Sequence, residues 1–217
     1  MLDCDAEDWG QFLLVQGDVK PAAIVELFSV DTETEEPFNP FSSKFRSMEE
    51  LEEHMTETGV LFEVAHGGGD YTQYNISKDQ SKLDEFSEQF GAPSLAEREE
   101  MMGSLLGYPE EAVKKYPLKE KNMHVMTESE ASYAVMKLRG RGVPAWFHYV
   151  WHVPAKGNLV EDFSESSVRL AEEYAAFFQE FHPEYHEWHL RVSEEKLETL
   201  VSDIKYIVDM WESSAEN

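Results

Sequence analysis

The chain is poor in cysteine and in positive charge. Cys4 is the only cysteine among 217 residues, which excludes an intrachain disulfide, a zinc site built on cysteine pairs and a CxxC redox motif. Lys and Arg number 18 against 44 Asp and Glu. Nucleic-acid binding asks for a basic stripe that neutralises phosphates. The densest basic stretch, Lys114, Lys115, Lys119 and Lys121, is broken by Glu120 and preceded by Glu110 and Glu111. No nucleic-acid partner is expected, and anionic membranes are disfavoured on the same ground. No apolar run approaches the ~20 residues of a membrane span. The opening MLDCDAEDWG has neither the basic nor the apolar region of a signal peptide, so a cytoplasmic protein is expected. A GxSxG elbow is missing. Gly67, Gly68 and Gly69 join two strand-like runs instead of leading into a helix, which reads as a hairpin turn and not a phosphate cradle.

What the chain does have is acid and aromatic bulk. The formal net charge is −26. Such a charge repels itself in dilute buffer. Screening shortens from about 10 Å at 0.1 M salt to about 3 Å at 1 M, so the composition suits a salt-rich cytoplasm, archaeal by preference. Glu outnumbers Asp and Lys outnumbers Arg, which keeps an ordinary very acidic protein as the alternative. Thirteen Phe, nine Tyr and five Trp supply core material. A chain of this length can bury about 70% of its unfolded surface. One domain over residues 1–217 is expected, strand-rich over about 1–78 and helical over about 79–217.

Two apolar, β-prone runs open the chain, Trp9 to Gln16 and Ala22 to Val30. Residues 31–47 carry Pro37 and Pro40 and read as a long loop. Ser47 with Glu50 makes a capping box for a helix ending near Gly59. Val60 to Ala65 and Tyr71 to Ile76 read as strands around the glycine turn. Ser77 or Asp79 caps a helix toward Phe90, Ser94 with Glu97 opens another to Leu106, and Pro109 starts a short one. Thr127 with Glu130 marks a helix through Leu138, and Ala145 to Val153 reads as a strand. Two helices close the chain, from about Ser164 to Phe181 and from near Ser193 to near Trp211. The order implies an α+β fold, a mainly antiparallel sheet covered by several helices, with a mostly helical C-terminal half.

Histidine is the natural place to look for chemistry. His148 and His152 in HYVWH have the spacing of a helical metal motif, but on a strand they stand about 13 Å apart at ~3.3 Å per residue. One ion could not take both. FHPEYHEWH is the better candidate. Pro183 suits a first helical turn, His182 then caps it, and His186 and His189 share a face with Glu187 adjacent. Two imidazoles and a carboxylate meet the donor needs of a divalent metal such as zinc. Against this stands a helix-end cluster of partly exposed imidazoles with no metal.

Leu105 to Val113, LLGYPEEAV, resembles a Leu-Gly-Tyr-Pro-x-Cys-Cys-Val motif of uncharacterised archaeal and bacterial proteins, including the archaeal domain-of-unknown-function family DUF483. His152-Val153-Pro154-Ala155 and the run from Ser166 to Tyr174 are similar to its second block. The resemblance implies a shared fold and no activity, because Glu111, Ala112 and Ala155 stand at the cysteine positions. Three functions follow as expectations. The first is a non-catalytic binding or interaction module with a protein or small-molecule partner and no cofactor. The second is a metal-dependent hydrolase using His186, His189 and a nearby carboxylate such as Glu187, with His152 as a further group that the fold could bring in. The third is a small-molecule pocket lined by the aromatics of 145–152, with Tyr108, Trp146, His148 and His152 as candidate binding residues.

Overall fold

A computed structural model of the chain describes residues 1–30, 38–68, 70–88, 91, 94–115, 149 and 165–195. The chain divides into two compact units, Met1–Pro117 and Leu118–Asn217.

The first unit is built on a sheet of β1 (Leu2–Asp3), β2 (Ala22–Ser29), β3 (Leu61–Gly68) and β4 (Tyr71–Ser77). The strand order is β1-β2-β4-β3, and every neighbouring pair is antiparallel. With helices around this sheet, the α+β class expected from the sequence holds.

One opening run departs from its expected state. Trp9 to Gln16 is not a strand; it lies in helix α1 (Ala6–Gln16). Asp5 caps it, its Oδ1 accepting the Glu7 N–H at 3.0 Å. Glu7 and Asp8 occupy the first turn, where carboxylates complement the helix dipole. Trp9, Phe12, Leu13, Leu14 and Val15 are all buried. A helix wrapped in core on most sides presents no polar face, so its period does not stand out from a buried strand.

Helix α2 (Met48–Glu57) begins at the expected capping box, with Glu50 N–H donating to Ser47 Oγ and Arg46 N–H donating to Glu50 Oε2. Helix α3 (Gln80–Glu88) is capped by Asp79, which accepts the Ser81 N–H at 2.9 Å. Helix α4 (Leu95–Leu105) starts at Ser94, and the short α5 (Glu110–Lys115) follows Pro109. Gly107 ends α4 at φ +71°, and a Cβ there would lie 2.8 Å from Pro21 Cδ.

Residues directly opposite on antiparallel strands share a face. Val25, Tyr74 and Val64 are opposite one another across β2, β4 and β3. On this face the Tyr74 hydroxyl donates to Glu52 of α2 at 2.8 Å. Phe12 of α1 meets His54 of α2, with ring centroids 6.2 Å apart. Helices α1 and α2 therefore lie on this side. The other face carries Ala22 and Ile24, which pack with Leu83 and Phe86 of α3 and with Met102, Leu105 and Leu106 at the end of α4.

In the second unit the described residues are Tyr149 and 165–195. Helix α6 (Glu165–Phe181) buries Ser167, Ala171, Tyr174 and Phe178, one stripe at helical spacing. Residues 183–195 are helical, His182 standing between the two segments. The closing helix expected to start near Ser193 is thus already under way at that position. Tyr149, expected in a strand, sits in a 3-10 turn. The helix expected over 127–138, the rest of 145–153 and residues 196–211 lie outside the described residues.

Candidate functional site

Strand β3 is one of the two outer strands of the sheet among the described residues, the other being the two-residue β1. An outer strand leaves alternate N–H and C=O groups directed away from its neighbour. Every residue from Glu63 to Gly68 is exposed, as is Leu61. Leu61 is 37% and Val64 51% accessible, so apolar side chains stand in solvent on both faces of one short stretch. The register with β4 shifts between Val64 and His66, a bulge that bends the strand there.

A groove of about 540 Å³ runs beside the regular half of this strand. Gly59 to Glu63 form one wall, α3 forms the other through Gln80, Leu83, Asp84 and Ser87, and Thr56 closes the end. Its apolar lining comes from Val60, Leu61, Phe62 and Leu83. Glu63 and Asp84 add two carboxylates, and none of its described lining residues is a Lys, Arg or His. The strand was legible in the sequence; its outer position was not, because strand order is set by pairing between distant segments.

Tyr108, a sequence-predicted binding residue, packs in the first unit. Lys20 Nζ lies 4.7 Å from its ring centroid. Lys20 is 3% exposed, and burial lowers its amine to about pKa 7, against the opposing pull of Glu7. The Tyr108 ring thus lies over the buried Lys20 amine and is itself partly exposed.

The second unit gathers Tyr149, His186 and His189. The Tyr149 ring stacks on Phe178 at 5.2 Å and on His186 at 5.7 Å, and meets His189 at 4.8 Å. Its hydroxyl lies 2.7 Å from His186 Nδ1. His189 is buried, stacked on Tyr185, with Nε2 3.5 Å from Ser193 Oγ. Glu187 is exposed. Burial raises the Tyr149 phenol above its ordinary value and lowers the His186 imidazole below its own, with Glu187 opposing the latter. Between a neutral phenol and a neutral imidazole, the tautomer of His186 decides which of the two donates. Displacement of the two pKa values in opposite directions makes proton exchange at neutral pH unfavourable. Among the described residues no three His, Cys, Asp or Glu side chains are placed to hold one metal ion. The sequence pointed to both histidines and, separately, to Tyr149 among the aromatics of 145–152, with no local signal that joins them. Trp146, His148 and His152 lie outside the described residues.

Cys4 is 3% exposed, and its thiol is raised to about pKa 12 by burial, with Asp8, Asp3 and Asp5 adding to the rise and Ser42 opposing it. A thiol in that state is a poor nucleophile. No helix among the described residues is long and apolar enough to cross a membrane. Searches of family models, curated proteins and solved structures found no match to this chain.

Proposed function

We propose that this chain is a non-catalytic interaction module of a salt-rich cytoplasm and that it receives its partner along edge strand β3. The observation that carries this reading is the exposure of Leu61 and Val64 on an outer strand with a groove beside it. Strand addition supplies backbone hydrogen bonds for affinity and pockets for alternate side chains for specificity. The Cys4 thiol supports it from the other side, since burial holds it in its neutral, poorly nucleophilic form. The resemblance to DUF483 proteins belongs to the same reading. It covers the scaffold around Gly107 to Val113, with Glu111 and Ala112 where the thiols of that pattern stand.

The test is co-purification from the source cell with the wild-type chain and with a Leu61→Lys/Val64→Lys variant. Lysines on an edge strand block strand addition with little effect on folding. The expected result is a partner retained by the wild type and lost by the variant at unchanged melting temperature. The amides of residues 61–64 should be protected from hydrogen exchange only in the complex. Equal retention by the variant would count against the reading.

A further inference from the structure

Resting on the edge-strand reading, we infer that the occupant of β3 and its groove is an extended basic segment of another protein, with one apolar side chain set between its cations. The bulge after Val64 leaves Leu61 to Val64 as the regular part of the edge, and Gly59 to Glu63 line the groove beside it. A guest strand therefore has about four residues of straight edge to pair with. Successive side chains of a strand alternate between faces. An apolar residue on the groove side meets Leu61 and Leu83. Cationic residues two positions to either side of it share that face and meet Glu63 and Asp84.

Charge selects among possible guests. The described groove lining offers two carboxylates and no cation. The chain as a whole carries −26. A second copy would bring its own Glu63 and the same net charge to the interface, and like charges across a contact are unfavourable. An acidic peptide meets the same repulsion. A neutral apolar strand would pair with the backbone but leave both lining carboxylates without a counter-charge.

The probe is a capped Lys-Thr-Leu-Thr-Lys-Thr hexapeptide, which sets leucine between two lysines on one face, compared with its counterpart carrying glutamate in place of lysine, added to the full chain in about 0.1 M salt, where screening extends over ~10 Å. Binding is read by calorimetry and by amide shifts in the heteronuclear NMR spectrum. The lysine peptide should bind at least tenfold more tightly than the glutamate peptide, with shifts confined to residues 59–64 and 80–87. Glu63→Lys/Asp84→Lys should reverse the preference. Equal binding of the two peptides at β3 would overturn the basic partner and leave the edge-strand reading standing. Failure of both peptides to move any β3 amide would remove both. A doubled mass by sedimentation, with β3 shifts that follow protein concentration alone, would make the occupant a second copy and overturn the basic partner.

Discussion

The Tyr149 hydroxyl lies 2.7 Å from Nδ1 of His186, and the two rings are within 3° of parallel. Burial disfavours the protonated imidazole, and a hydroxyl that donates to Nδ1 acts in the same direction. The folded pKa of His186 is therefore below its unfolded value. The stability it contributes is present above the unfolded pKa and is lost as pH falls through the folded one. Tyr149→Phe keeps the stack and removes the hydroxyl. It should cost roughly 1 kcal/mol at neutral pH and raise the His186 pKa, measured from the imidazole carbon-bound proton in an NMR titration. An unchanged titration would mean that the contact does not set the protonation state.

Gly107 and Gly59 make a matched pair. Both have positive φ, +71° and +73°. A Cβ at Gly59 meets nothing within 4 Å, whereas one at Gly107 comes 2.8 Å from a ring carbon of Pro21. Gly59→Ala should therefore cost about 1 kcal/mol, the left-handed strain alone. Gly107→Ala should cost about 2–4 kcal/mol, because the strain adds to a clash with a rigid ring. Urea unfolding of the two variants checks the difference, and equal midpoints would refute it.

These elements also mark how far the sequence was legible. Capping boxes at Ser47 and Ser94 and the glycine after α4 fixed helix ends correctly, since each is a local hydrogen-bond demand met by residues three or four apart. Helix α1 was misread because burial on most sides erased its period, although Asp5 and the acidic first turn held the needed signal. The Tyr149–His186 contact spans 37 residues and the openness of β3 depends on which strand lies beside it. Neither is written in any local pattern.

Asp8 accepts the Glu26 N–H of β2 at 3.2 Å, beyond the point where the two-residue β1 stops pairing. Burial raises its carboxyl to about pKa 7, with Glu7, Asp5 and Glu26 adding to the rise and the Glu26 N–H opposing it. A raised carboxyl favours the folded state below the unfolded pKa and loses that advantage as pH rises toward the folded one. Asp8→Asn keeps an acceptor and removes the desolvated charge. It should change little near about pH 4 and stabilise by roughly 1–3 kcal/mol near about pH 8. Thermal melts at the two pH values measure this, and a variant less stable at the higher pH would contradict it.

Salt should act on the whole molecule. With a net charge of −26, the melting temperature should climb by roughly 10 °C between about 0.1 M and multimolar KCl, as screening shortens from ~10 Å to ~3 Å and less. Scanning calorimetry across that range would show it. A flat response would leave an ordinary acidic protein in place of a salt-adapted one.

The irregularity between Val64 and His66 has a consequence for growth. A flat, uninterrupted border would let each added chain offer its own border to the next, which is how fibrils lengthen. Here the kink ends the straight border after a few residues, and Glu63 stands within what remains. On the proposed reading a visitor docks over those few residues, and the kink keeps the ribbon from propagating. The molecule can carry an open flank through a crowded cell without seeding its own precipitation.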